Sequence, residues 1–272
     1  MANPIAVKPT PENQAAIAQA NTALQQLVNL YPSMSNAIQA GKMRFSNLAQ
    51  VSNMYNTMVG KGAYSESAEP LYDTVTVSPL VSGSPAPVAQ QYTFFTDNNI
   101  GHNIGNISNS PGQGSLPATM AFLMMKISVQ LTPAVSTAYA YDSITAVSAT
   151  APGLLSTNTL DAINIFNEGS ISFTFLNTKW LELPLKRIIG GPSVQIASSL
   201  AGTYTAPATV GISVPLLGPT SIEGIPELKE YMFIAPQENF TIQLKFPSTF
   251  TTALNNPMNV TLTLDGVKYQ SV

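Results

Sequence analysis

At about residue 70 the spacing of apolar residues changes from a helical repeat to strict alternation. That one switch divides the chain into a helical arm and a β domain. Upstream of it, Ile17, Ala20, Leu24, Leu27, Val28 and Tyr31 recur at the three, four and seven spacing of one helix face. Thr10 is placed to cap that helix, with Pro11 in its first turn and Glu12 beside the positive end of its dipole. Pro32 stops it. Ser33 is placed to cap a short second helix ending near Gly41, and Phe45, Leu48, Val51, Tyr55 and Met58 or Val59 line a third up to the Gly60-Lys61-Gly62 breaker. The opposite faces carry Gln, Asn, Ser and Thr in place of Lys and Glu, so the arm is expected to meet protein on both sides.

Beyond residue 70 the apolar residues alternate in short runs punctuated by Gly and Pro. Val75 and Val77, Tyr92 and Phe94, and Met125, Ile127, Val129 and Leu131 form such runs. So do Ile163 and Ile165, then Ile171, Phe173 and Phe175, the segment from Trp180 to Leu185, and Val210, Ile212 and Val214. Phe240, Ile242, Leu244 and Phe246, then Val260, Leu262 and Leu264, complete the series. Glu168-Gly169, Asn177-Thr178 and Asp265-Gly266 read as tight turns, the last folding the final residues back. No helix-length pattern interrupts the region, which points away from an α/β enzyme fold and towards an antiparallel sandwich or barrel. The pattern sets the arm at residues 1–69 and the β domain at 70–272, with long insertions at 132–158 and 190–229 rich in Ser, Thr, Ala, Gly and Pro. Ile127, Val129, Phe173, Phe175, Trp180, Phe240, Ile242, Val260 and Leu262 are the expected core.

Charge narrows the function classes. Charged residues make up 9% of the 272, against about 25% in an average soluble protein. A surface of that kind resists desolvation weakly and suits burial against other copies better than free life as an enzyme. With no Cys and one His, His102, thiolate chemistry and every site needing two imidazoles are excluded. No apolar run reaches the roughly 18 to 20 residues of a membrane-spanning helix, and the region after Met1 lacks a signal-peptide layout. Charge is also uneven: residues 1–62 hold Lys8, Lys42, Arg44 and Lys61 against Glu12, a balance of +3, while the remainder carries −6. Those four cations are the candidates for weak, salt-screened attraction to phosphate groups.

The other chemical candidates read more simply as structure. His102 could be imagined with Asp97 and Ser108 or Ser110, but no Gly-x-Ser-x-Gly elbow accompanies it. Glu66 with Glu69, Glu168 with Asp161, and the trio Glu223, Glu227 and Glu230 are the possible carboxylate pairs, and nothing in the sequence sets two of them across a cleft. No Asp-x-Asp-x-Asp-Gly loop for calcium is present. The Gly-rich stretch at 103–114 has a strand on both sides, not the strand-then-helix context of a phosphate cradle. Neither catalysis nor a cofactor is expected.

One ordered set of segments carries a resemblance. The Phe94-Phe95 pair precedes a Gly and Asn rich stretch, followed by Gly114-Ser115-Leu116-Pro117 and an alternating strand from Phe122. Glu168 to Phe173, Lys179-Trp180-Leu181-Glu182-Leu183-Pro184-Leu185, Ile234-Ala235-Pro236-Gln237-Glu238-Asn239-Phe240, and a terminal Leu264-Asp265-Gly266 come after it. In this order, over residues 90–272, the chain resembles the jelly-roll major capsid proteins of tailless icosahedral bacteriophages. The resemblance implies an eight-stranded jelly-roll sandwich with strands at 90–96, 120–131, 159–166, 169–176, 179–186, 229–235, 239–247 and 258–265, a single roll fitting the length better than a double one. It further implies a coat subunit made in the host cytoplasm and residing in the virion. Its partners would be many copies of itself, other capsid proteins such as a penton or spike, and a genome or internal lipid layer met through Lys8, Lys42, Arg44 and Lys61 of the arm, which would lie against the inner side of the shell or reach under a neighbouring subunit. The alternative from another class is a carbohydrate-binding jelly-roll module of a phage spike or bacterial surface protein, which needs an exposed aromatic platform.

Overall fold

The computed structural model describes residues 10–11, 13–43, 45, 48–59, 64–79, 91–96, 114–134, 157–188, 227–247, 254 and 257–271. Three helices come first: α1 (Gln14–Leu30), α2 (Pro32–Gln39) and α3 (Leu48–Met58). The capping expectations at Thr10 and Ser33 fail. Asn13 accepts the Thr10 N–H at 2.6 Å and donates its own to the Thr10 carbonyl at 3.1 Å, which closes a turn ahead of α1 instead of capping it. Pro32 does end α1, and it sits in the first turn of α2, where its missing N–H costs nothing.

The rest is mainly β. The strands are β1 (Tyr64–Ser67), β2 (Leu71–Val77), β3 (Gln91–Phe94), β4 (Met120–Pro133), β5 (Ser170–Phe175), β6 (Thr178–Pro184), β7 (Glu227–Ile234), β8 (Phe240–Lys245) and β9 (Met258–Ser271). Every described pairing is antiparallel. One sheet runs β2-β9-β4-β7, with β1 beside β2 on the same flank of β9; the other runs β3-β8-β5-β6. β1 and β2 keep one unbroken register along β9, so they are a single long strand interrupted at 68–70, where Pro70 has no N–H to donate. Strand pairs are nested: β5 with β6, β4 with β7, β3 with β8 and β2 with β9.

Several expectations are corrected here. Residues 159–166 are not a strand but lie in helix α4 (Thr157–Glu168), whose Ala162 and Ile165 face the core; Ile163 and Ile165 are two residues apart, a spacing too short to tell the two periods apart. A one-turn helix, α5 (Leu185–Ile188), follows β6. Glu168-Gly169 is therefore a helix-to-strand junction. Gly169 is needed because a Cβ there would lie 2.5 Å from Leu185 Cδ1 and 2.7 Å from the Ile165 carbonyl oxygen. β1 lies on the N-terminal side of the expected boundary at residue 70. Of the expected insertions, 132–133 extend β4, 157–158 begin α4, and 227–229 begin β7; most of the remainder lies outside the described residues.

Asp265-Gly266 is not a turn either: β9 passes straight through it. The reason lies in β4, where register shifts by one residue between Met124 and Lys126, leaving Met125 as a β-bulge. Before the bulge Met120, Phe122 and Met124 point into the sandwich; after it Ile127, Val129 and Leu131 do. Without the extra residue, one of those sets would face the other way. Met125 itself packs on the opposite side, with Ala121 and Leu123. Gly266 accommodates the crowding: a Cβ there would sit 2.0 Å from the Leu123 carbonyl oxygen.

Both sheets share one core, which contains Ile127, Val129, Phe173, Phe240, Ile242, Val260 and Leu262; Phe175 and Trp180 are half-buried against it. A second core lies on the other face of the first sheet. Ala121, Leu123 and Tyr269 of the sheet meet Leu24, Leu27, Met34, Val51, Met54 and Met58 of the helices. The apolar faces of the arm are thus covered by the chain's own sheet and not by a neighbour, as the sequence had suggested. Six such side chains at about 2 kcal/mol each amount to on the order of 10 kcal/mol of gross burial, comparable to the whole net stability of a domain. A relay of hydroxyls pins the layer down: Tyr269 and Ser33 share a hydrogen bond, and Ser33 Oγ donates to Glu66 Oε1 at 2.8 Å.

Deleting residues 1–62 should therefore strip a sheet face and leave aggregated protein; a soluble, folded remainder by light scattering and circular dichroism would contradict this packing. Gly266→Ala should cost about 3 kcal/mol in urea unfolding because backbone must move. Gly41→Ala, at φ +66° with no atom within 4 Å of the added Cβ, should cost only about 1 kcal/mol.

Candidate functional site

A two-sheet sandwich has two lateral edges, and here they differ. At one edge β2 and β3 touch, and the buried carboxylate of Asp73 accepts the N–H of Phe95, a residue held at φ +58° just after β3. That edge is closed. At the other, β7 ends the first sheet and β6 ends the second, and neither pairs with a further described strand. A cleft of about 500 Å³ opens between them.

Its roof is Met43, Phe45 and Met54 from α3 and the segment before it. Its walls are Tyr231 and Phe233 of β7 on one side, and on the other Trp180 of β6 with Phe175 and Leu176. Trp180 is placed by a second bulge, since Phe173 pairs with Leu181 and Thr174 with Lys179. Its ring stands edge-on to Phe173 at 5.6 Å. The β5–β6 turn is built from Leu176 and Asn177, at φ +46° and +62°. Asn tolerates that conformation; a leucine there is strained, and this one is also 55% exposed.

The polar side chains lining the cleft are Asn53, Thr178 and Tyr231 and the carboxylates of Glu230 and Glu238. Glu238 accepts the Ala235 N–H at 3.0 Å; burial raises its pKa and that hydrogen bond partly offsets the shift. The Glu230 side chain is exposed and forms no hydrogen bond or ion pair with a described residue. Tyr231 donates to Glu227 at 2.9 Å, and burial first, then this carboxylate, push its hydroxyl up to about 12. Lys42 braces the irregular start of β7: its Nζ lies 3.5 Å from Glu227, donates to the Leu228 carbonyl at 3.2 Å and sits 5.7 Å from the centre of the Tyr231 ring.

Lys42 is thus engaged within the chain, while Lys8, Arg44 and Lys61 lie outside the described residues. So do His102, Ser108, Ser110 and Glu223, and the Gly-rich stretch up to residue 113. Of the carboxylates singled out in the sequence, Glu230 lines the cleft and Glu227 bonds Tyr231 beside it, while the other described ones lie elsewhere. Glu66 accepts from Ser33, Glu69 pairs with Lys268, Asp161 is buried in α4 and Glu168 is exposed at its end. Among the described residues no three His, Cys, Asp or Glu side chains cluster, and no helix is long and apolar enough to cross a membrane. No protein-family model matches the chain, and no curated protein matches its sequence.

Sequence reasoning missed the cleft because two bulges and a hairpin turn assemble it. The one available signal was Leu176, an apolar residue beside Asn177 where a hairpin turn normally carries Gly, Asn or Asp. The raised pKa of Glu238 has a definite sign. Its ionised form is disfavoured by folding, so stability should rise as pH falls through its folded pKa towards the ordinary Glu value near 4.5, and level off below. Glu238→Gln keeps an acceptor for Ala235 without the charge. It should be at least as stable at pH 7 and lose that acid-side gain, as urea unfolding at pH 5 and pH 7 would reveal.

Proposed function

We propose that this chain is a structural subunit of a closed protein shell, a jelly-roll coat protein like the major capsid proteins of tailless icosahedral bacteriophages. The observation that carries the reading is the strand order: nested antiparallel pairs split between sheets β2-β9-β4-β7 and β3-β8-β5-β6. That is how one long hairpin wraps into an eight-stranded single roll, with β2 as its first strand and α4 as a connection between β4 and β5. Jelly rolls also serve lectins and cupins, so the fold does not choose the function.

Composition favours the shell. A cupin-type metal site needs several imidazoles and the chain has one His. A carbohydrate-binding module would use an exposed aromatic platform, but Trp180 is half-buried with its ring edge-on to Phe173. A 9% charged sequence, by contrast, suits a surface that is buried in assembly. The partners on this reading are copies of the chain and other coat proteins such as a penton or spike, and its place is the virion. Genome or lipid contact would fall to Lys8, Arg44 and Lys61, since Lys42 is already engaged.

The purified protein should form shells or ring-like capsomers in negative-stain micrographs, with a scattering mass that grows with concentration. A strict monomer at every concentration and salt would overturn the reading.

A further inference from the structure

The open-edge cleft gathers five aromatic side chains, Phe45, Phe175, Trp180, Tyr231 and Phe233, and two carboxylates, Glu230 and Glu238. None of its described lining residues is Lys, Arg or His. Its volume of about 500 Å³ is that of a small-molecule site. Aromatic rings attract a cation through their negative faces, and carboxylates attract it through their charge. We propose that the cleft binds a small organic cation, an ammonium group on an apolar body, with Trp180, Tyr231, Glu238 and Glu230 receiving the charge.

The charge of the occupant follows from Glu238. Its side chain is half-buried and accepts the Ala235 N–H, but it forms no ion pair with a described residue. A neutral apolar guest would remove more water from that carboxylate and give it no counter-charge, and an anion would meet two like charges. A cation reverses the sign of both terms. The cations nearest the cleft are already committed: Lys42 to Glu227 and the Leu228 carbonyl, and Lys179 to Glu182 at 2.6 Å. The molecule itself shows that one of these rings takes a cation, since Lys42 Nζ stands 5.7 Å from the centre of Tyr231. The Tyr231 hydroxyl donates to Glu227, so the ring is the part of that side chain left for a ligand. Met43 and Met54 supply polarisable walls for the apolar body, and Asn53 and Thr178 can meet a polar substituent. A bare metal ion does not fit, because among the described residues no three acidic or imidazole groups cluster. Every lining residue belongs to one chain, so the inference stands apart from the shell reading.

Trp180 is the only tryptophan of the chain, so its emission reports on the cleft directly. The test titrates the full-length protein at pH 8 and constant ionic strength with benzyltrimethylammonium and, separately, with benzyl alcohol, which has the same apolar body and no charge. Trp180 emission and saturation-transfer NMR should both show saturable binding, at least about tenfold tighter for the cation. Equal affinity for the two probes, or no saturable binding of the cation, would overturn the proposal. Glu238→Gln keeps the acceptor for Ala235 and removes the charge. It should weaken the cation about fivefold and leave the alcohol unchanged. Trp180→Leu, read by NMR, should weaken the cation about tenfold, and Trp180→Phe should recover part of that loss. Should Trp180→Leu fail to fold, the Glu238→Gln result decides: an unchanged affinity for the cation would overturn the proposal.

Discussion

The pairing of β4 with β9 is the constraint on which the rest of the structure depends. These are the longest strands, they sit side by side at the centre of the first sheet, and that sheet has apolar neighbours on both faces. A regular strand divides its residues evenly between two faces along its whole length. β4 has to do something else. Near its start it must offer Phe122 and Met124 to the sandwich and Ala121, Leu123 and Met125 to the helices; further on it must keep Ile127, Val129 and Leu131 inside while Ser128, Gln130 and Thr132 take the outer face. The bulge at Met125 makes the change of parity, and Gly266 lets β9 stay close enough to remain paired through it.

The same bulge fixes where the helices can lie. Their apolar faces have a matching sheet surface only on the Met120 to Met125 side, where Val267 and Tyr269 of β9 complete it. Beyond that point the outer face becomes a ladder of hydroxyls and amides, with Thr74 bonded to Thr261 and Thr76 to Asn259 at 2.8 Å. Such a ladder satisfies its own polar groups and offers an apolar helix little to bury. The Tyr269, Ser33 and Glu66 relay marks the line along which the α2 turn is held to β1 and β9.

The two edges follow from the same economy of charge. Closing the β2–β3 edge uses a buried carboxylate, Asp73, on a backbone N–H, which a short polar side chain can do without a cation. At the β6–β7 edge the strands carry Lys179 with Glu182 and Glu227 with Lys42, ion pairs that discourage indiscriminate strand addition while leaving the apolar cleft between them accessible. In a chain with so few charges, their concentration at this edge matters more than their number.

How much was legible in the sequence can be judged element by element. The spacing of Ile17, Leu24 and Leu27 and the alternation of Phe240, Ile242 and Leu244 determined a helical segment and a β segment, because each period is a property of local backbone geometry. Pro32 determined a break for the same reason. The sequence alone misassigned residues 159–166, where Ile163 and Ile165 suit either period, and it read Gly266 as a turn when that glycine serves close strand approach. It also pointed to a neighbour as the cover of the arm, because an apolar helix face asks only to be buried, and whether the first sheet or another subunit buries it depends on the side that Ala121, Leu123 and Tyr269 face. That was decided by the tertiary structure, through the one-residue shift at Met125. The cleft belongs to the same class. Trp180, Leu176 and Phe233 are far apart or unremarkable along the chain, and only the meeting of two sheet edges under α3 makes them neighbours.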